Sequence, residues 1–173
     1  MSKAAGAPTV RISEIFHSLQ GESSRVGLPT VFIRLTGCPL RCRWCDTAHA
    51  FTGGSIRRID EVVVEAGRHG TRTVCVTGGE PLAQKNCLLL LTALCDAGFD
   101  VSLETSGALD IGGVDPRVSR IMDLKAPGSG EAERNLLANI PLLTARDEVK
   151  IVIADRADYE WARQIIAEHH LNE

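Results

Sequence analysis

Two extended apolar runs open the chain, at 9–16 and 30–35. In the second, Val31, Ile33 and Leu35 share one face while Phe32 and Arg34 share the other, the two-residue period of a strand. A cysteine-rich loop follows, and Gly53-Gly54 then breaks the chain. Asp60 can cap a helix that runs to about His69, with Gly70 as its stop. Beyond it the pattern alternates. Strands are predicted at 73–77, 99–104, 120–124 and 148–153, and helices at 86–97, 131–140 and 158–169. Strand–helix alternation with short loops implies βαβ units on a parallel sheet. Such sheets place ligands at the carboxyl ends of their strands. The unusual polar residues fall there: Thr77-Gly78-Gly79-Glu80, Glu104-Thr105-Ser106-Gly107, and Asp123 with Lys125. Three such strand ends predict one shared pocket.

The chain has 173 residues, enough for one domain (1–173), and its hydrophobic content of 44% can supply a core. Residues 1–8 are small and polar, a flexible lead rather than a signal peptide. The formal net charge is -3 with no basic stripe, which argues against nucleic acid as the main partner. No apolar run approaches the roughly 20 residues that span a bilayer. A cytoplasmic protein is expected.

Six cysteines are present. Cys75, Cys87 and Cys95 are scattered through apolar segments and read as small buried hydrophobes. Cys38, Cys42 and Cys45 crowd together with the spacing C-x3-C-x2-C. Soft thiolates select zinc or iron–sulfur clusters. A closed zinc site needs a fourth ligand, for which His49 is the nearby candidate. A four-iron cluster on three cysteines instead leaves one iron open to a ligand. Either metal implies reduced thiols and a cytosol-like compartment.

The loop, with Trp44 just before the last cysteine, resembles that of radical S-adenosylmethionine (radical-SAM) enzymes. Thr77-Gly78-Gly79-Glu80-Pro81 is similar to that family's Gly-rich strand end, whose carbonyls approach the SAM amino group. The resemblance implies a [4Fe-4S] cluster on Cys38, Cys42 and Cys45, and SAM chelating the open iron. One-electron cleavage of SAM would yield a 5'-deoxyadenosyl radical that removes a substrate hydrogen. The implied fold is α/β, a reduced (β/α) partial barrel of the radical-SAM type.

More specific segments resemble the 7-carboxy-7-deazaguanine synthase family. They are 14–22, 29–35, Cys45-Asp46-Thr47 and Leu103-Glu104-Thr105-Ser106-Gly107. That resemblance implies a lyase reaction: 6-carboxy-5,6,7,8-tetrahydropterin becomes 7-carboxy-7-deazaguanine with loss of ammonia, on the way to queuosine and other 7-deazapurines. By position, Leu19, Gln20 and Gly21 would edge the pterin through their backbone, Arg34 would hold its carboxylate, and Thr77 would touch it. Thr47 would ligate Mg2+. Trp44, Cys45, Asp46, Gly79, Glu104, Ser106, Asp123, Leu124 and Lys125 would contact SAM, with Glu104 and Ser106 at the ribose. No catalytic residue beyond cluster and SAM is implied. An electron donor such as flavodoxin or ferredoxin, and a homodimer, are implied as well.

Two departures stand out. Many members carry Ser-Pro-Lys where this chain has Asp123-Leu124-Lys125, which leaves the contacts of Asp123 and Leu124 open. The family also continues with further strand and a closing segment, whereas this chain ends at Glu173, so a truncated or shortened C-terminal part is expected. Two other readings compete. Glycyl-radical-enzyme activases, which act on a partner protein, share the cysteine spacing, the Gly-Gly-Glu-Pro turn and Asp-Leu-Lys. Leu19-Gln20-Gly21-Glu22 and Cys45-Asp46-Thr47 favour the deazaguanine family over them. A non-catalytic Fe–S or zinc module would need only the cysteine loop, not polar residues at several strand ends.

Overall fold

A computed structural model describes residues 6–172. Seven strands form one open mixed sheet in the order β3-β1-β2-β4-β5-β6-β7. They are β1 (Thr9–Leu19), β2 (Pro29–Leu35), β3 (Ser55–Arg58), β4 (Thr73–Gly78), β5 (Asp100–Thr105), β6 (Ser119–Asp123) and β7 (Glu148–Lys150). From β2 through β7 neighbouring strands are parallel. β1 pairs antiparallel with β2 and with β3. The parallel sheet expected of the alternating region is present, and the two N-terminal runs, for which no direction was expected, form an antiparallel hairpin beside it. Alternation marks a strand but not its direction, and a long β1–β2 hairpin needs no crossover helix.

Helices α1 (Ile59–Gly67) and α2 (Cys87–Asp96) follow β3 and precede β5, and α3 (Arg156–Glu168) follows β7. Val31, Ile33 and Leu35 of β2, Val74 and Val76 of β4 and Leu103 of β5 share a core with Leu90, Leu91 and Leu94 of α2 and Val62 of α1. Phe32 and Arg34 turn to the other face, as alternation predicts. There, Glu22 beyond β1 reaches Lys150 of β7, a contact possible only if the sheet curls. The architecture is thus a partial barrel with helices outside and a polar concave face.

Several expected boundaries move. β1 continues to Leu19 because its last residues pair with Pro29 and Thr30. α1 starts at Ile59 on Arg58 as N-cap, with Asp60 inside the first turn. β7 ends at Lys150 rather than 153. The helix expected at 131–140 is absent; short 3-10 turns stand at Ala132–Arg134 and Leu137–Leu142 instead. Its backbone is claimed by tertiary bonds: the Leu136 amide donates to the Gly107 carbonyl, and Asn139 Nδ2 donates to the Gly107 and Leu109 carbonyls. Cys75 and Cys87 are fully buried and Cys95 partly so. Burial pushes the Cys87 thiol up to about 12 and raises that of Cys75 as well. Of the lead at 1–8, residues 1–5 lie outside the described residues, as does Glu173; the Pro8 carbonyl accepts a bond from the Ile59 amide. Among the described residues no helix is long and apolar enough to cross a membrane.

Candidate active site

The cysteine loop leaves the carboxyl end of β2 and is fixed at its foot. The Gly37 amide donates to the Ala50 carbonyl, and the Gly37 carbonyl accepts from the Glu80 amide at 2.7 Å. β4 can come this close only without side chains. A Cβ on Gly78 would stand 2.4 Å from the Leu35 oxygen, and one on Gly79 would stand 2.4 Å from the Gly37 oxygen and 2.7 Å from Cys38 Cβ. The glycines of Thr77-Gly78-Gly79 therefore join two strand ends. That steric duty is independent of the ligand contact expected of them.

Further along, the Arg41 amide donates to the Glu131 carboxylate at 2.6 Å, and its guanidinium caps the Cys38 and Leu40 carbonyls while lying over Phe51. The Arg43 amide donates to the Ser129 carbonyl. Asp158, near the start of α3, supports that contact by accepting from the Gly128 amide. Cys38, Cys42 and Cys45 are free thiols, partly exposed, and all three line one cavity of about 530 Å³. Burial raises the thiols of Cys38 and Cys42 above their ordinary range. His49 does not line the cavity; its Nε2 lies 3.4 Å from Glu14 on the outside. Among the described residues no group of three His, Cys, Asp or Glu closes around a single-ion position.

The cavity gathers most of the residues expected from sequence: Gln20, Gly21, Arg34, Trp44, Asp46, Thr47, Thr77, Gly79, Glu104, Ser106, Asp123 and Lys125. Two expected residues do not line it. Leu124 is wholly buried in the core, since Asp123 and Lys125 take the cavity side of an alternating strand end. Leu19 is paired with Pro29 at the end of β1 and points to solvent.

Details of the roles also change. The Gln20 backbone is engaged by its own loop, through Leu28 and Gly27, so its side chain is what reaches inward, to Glu104 at 3.3 Å. Glu104 also accepts from the Thr77 hydroxyl at 2.9 Å, so protein groups already partner this carboxylate. The Ser106 hydroxyl donates to Glu80 at 2.5 Å. Arg34 gives its Nε to Glu14 at 2.7 Å. Thr47 stands at the N-cap of a 3-10 turn without a side-chain capping bond; its hydroxyl is 3.8 Å from Cys45 Sγ.

Sequence reasoning named Glu80 and Glu22 only as parts of motifs, with no role of their own, and missed Lys150. Glu80 is completely buried and accepts from the Leu82 amide, the Thr105 hydroxyl, and both the Ser106 amide and hydroxyl. Lys150 and Glu22 line the cavity and pair at 2.5 Å. Lys150 also lies 3.4 Å from Asp123, whose other near cation is Lys125 at 3.0 Å. Burial works against the charge on Lys150, but Glu22 and Asp123 outweigh it and raise its pKa. Lys150 ends a parallel strand just as Asp123 does, and that signal was legible. Asp123 Oδ1 is shielded from solvent and has no hydrogen-bond partner.

The donor set fits the implied groups. Three soft thiols in one loop suit an iron–sulfur cluster. The volume suits a small-molecule ligand. A solvent-shielded carboxylate oxygen without a donor suits a ligand N–H or O–H. Three thiols lining one cavity at the carboxyl edge of the parallel strands of an open, partial barrel mark a radical-SAM domain, and the Radical SAM superfamily model matches residues 32–169. The crystal structure of QueE from Escherichia coli superposes with a TM-score of 0.76 at 29% identity, covering 92% of this chain and 78% of that one. The 7-carboxy-7-deazaguanine synthase of Chlorobaculum tepidum is 49% identical over 92% of this chain and 74% of its own length. That of Koribacter versatilis is 44% identical over 94% and 73%. The chain belongs to the 7-carboxy-7-deazaguanine synthase family.

Proposed function

We propose that this chain converts 6-carboxy-5,6,7,8-tetrahydropterin to 7-carboxy-7-deazaguanine with loss of ammonia, as a radical-SAM lyase of the queuosine and 7-deazapurine route. The observation that carries the reading is the single cavity, where three thiols, the Gly78-Gly79 strand end and the polar ends of β5 and β6 face Arg34 and Thr47. Cys38, Cys42 and Cys45 would hold a [4Fe-4S] cluster, which when bound supplies the electron for SAM-dependent radical chemistry.

The protein's own contribution is placement. Trp44, Cys45, Asp46 and Gly79 border the side of the cavity next to the cysteine loop, where SAM would lie. Glu104 and Ser106 would face its ribose, Ser106 as an acceptor because its proton is committed to Glu80. Asp123 Oδ1 would accept a hydrogen bond from a SAM N–H or O–H, with Lys125 and Lys150 balancing its charge. Gln20, Gly21 and Thr77 would edge the pterin. Arg34 would hold the substrate carboxylate with its remaining N–H groups, a charge-assisted contact. Thr47, whose hydroxyl is not spent on capping, would ligate Mg2+ together with substrate oxygens and water. The same reading extends to one domain over 1–173, a homodimer, a cytoplasmic setting and flavodoxin or ferredoxin as electron donor; these rest on the family resemblance.

The test is anaerobic reconstitution followed by incubation with SAM, reductant, Mg2+ and the carboxytetrahydropterin, with product read by mass. The expected result is 7-carboxy-7-deazaguanine from the native chain. Cys38→Ala, Cys42→Ala and Cys45→Ala should each lose both iron and product, because three thiolates are the minimum for such a cluster. Zinc without iron after anaerobic purification, or no turnover by an iron-loaded protein, would sink the proposal.

A further inference from the structure

The loop 20–28 between β1 and β2 has no regular structure, yet it carries the residues that border the cavity from the β1 side. It is held by bonds to three different strands. Near the cavity, Gln20 Nε2 donates to Glu104 of β5 and Glu22 pairs with Lys150 of β7. Farther along, Ser24 donates both its amide (2.9 Å) and its hydroxyl (2.6 Å) to Glu148, the first residue of β7. Arg25 donates NH1 and NH2 to Asp100, the first residue of β5, at 2.8 Å each, and NH2 also to the Ser119 hydroxyl at the start of β6. The loop therefore runs from the site to the amino ends of β5, β6 and β7, strapping the concave face. Ser24 and Arg25 do not line the cavity. The Arg25 side chain is only 13% exposed, so this two-pronged pair is shielded from solvent on one side and geometrically defined.

We propose that Arg25 is a positioning residue for the substrate. By clamping the strap to Asp100 and Ser119 it sets where Gln20, Gly21 and Glu22 stand against the pterin edge, although it touches no ligand itself. Four observations argue for this over a generic brace. The clamp sits on the same loop as the binding residues, a few positions away. The loop has no strand or helix of its own to define its path. Gln20 side-chain oxygen is spent on the Gly21 and Glu22 amides, so the three residues move as one unit. The Gln20 backbone is paired only with Leu28 and Gly27 of the same loop, and across the cavity the unit has single side-chain contacts, Gln20 with Glu104 and Glu22 with Lys150, so the loop can shift as a body when its far end is released.

The inference rests on the pterin reading above, and its test carries one readout that does not. Reconstituted holoenzyme is compared with Arg25→Ala, Asp100→Ala, Arg25→Lys and the exchanged pair Arg25→Asp/Asp100→Arg. For Arg25→Ala and Asp100→Ala, the substrate KM should rise about tenfold or more while kcat stays within about twofold, the mark of lost uniform binding. Iron content and SAM cleavage without substrate should be unchanged. Arg25→Lys and the exchanged pair should recover part of the lost KM. Independently of substrate, amide exchange at 20–22 should quicken in Arg25→Ala while α1 and α2 keep their protection. Unchanged exchange at 20–22 would overturn the strap, even if the native enzyme failed to turn over the pterin and so sank the functional reading instead. A lower melting temperature with native KM would also overturn it, leaving Arg25 a stabilising contact. Should Arg25→Ala not fold, Arg25→Gln, which removes the charged two-pronged pair with Asp100 but keeps one side-chain donor, is the milder variant and is held to the same KM and exchange criteria.

Discussion

Glu80 and Asp123 are both carboxylates at the carboxyl ends of strand regions, separated by β5, and they are treated in opposite ways. Glu80 is sealed off and receives four protein donors from Leu82, Thr105 and Ser106. Asp123 lines the cavity, faces Lys125 and Lys150, and keeps one shielded oxygen without a donor. A buried acceptor that its own protein saturates welds the scaffold; one left short is a vacancy for a ligand. The β4–β5 side of the site is thus built to be rigid, and the β6–β7 side to receive.

The sharpest way to break the contrast is to remove the scaffold carboxylate. Glu80→Ala should cost on the order of 3 kcal/mol or more, because four buried donors lose a common partner at about 1–3 kcal/mol for each one left unsatisfied. Thermal or denaturant unfolding of the metal-free protein measures it; a cost below about 1 kcal/mol, the net value of one ordinary hydrogen bond, would refute the scaffold role.

Next in size is the base of the β6–β7 wall. The Asp147 side chain is shielded from solvent and accepts from the Arg120 amide, Nε and NH2 and from Thr144. Burial raises its carboxyl, but the Arg120 and Thr144 bonds outweigh that, so its pKa in the folded chain lies below 3.8. A carboxyl depressed on folding stabilises above its unfolded value, and that stability drains away as the pH falls through the folded one. Asp147→Asn should therefore be less stable than native by about 2 kcal/mol at neutral pH. The gap should narrow below pH 3.8, the ordinary value for this carboxyl. Parallel denaturation curves at pH 7 and pH 3 test this; a gap that stays constant would refute the charged pair.

The smallest stability effect belongs to Asp123. Asp123→Asn should leave unfolding nearly unchanged and weaken SAM binding about tenfold, the value of roughly 1.4 kcal/mol. Equilibrium binding of SAM to the cluster-loaded protein reads it. A large stability loss with native SAM affinity would place Asp123 with Glu80 and dissolve the comparison.

What could be read from sequence divides along similar lines. The alternation in 31–35, the cysteine spacing and the polar strand ends each state a local constraint, and the structure gathers them at one cavity. Tertiary bonds are what escaped. The stretch 131–140 carries helix-forming residues, but Gly107 and Leu109 carbonyls claim its amide and Asn139. β3 is exposed and short of apolar pattern; only its pairing with Thr9–Ile12 makes it a strand. The Glu22–Lys150 pair joins residues from opposite ends of the chain, which no window along the sequence can bring together. Glu80 looked like part of a ligand motif, and nothing local reveals that Thr105 and Ser106 would consume it.

The close approach of Gly79 to Gly37 and Cys38 has a consequence for the order of synthesis. Strands β2, β4, β5, β6 and β7 stand side by side in the sheet in the order in which they leave the ribosome. The three thiols emerge before the glycine strand end that fixes the foot of their loop, and Glu80 waits in turn for Thr105 and Ser106. During that interval the thiols hang from a strand with one finished side. The loop's own anchors at Ser129 and Glu131 come later still, so by chain order its shape is complete only after β6 has left the ribosome.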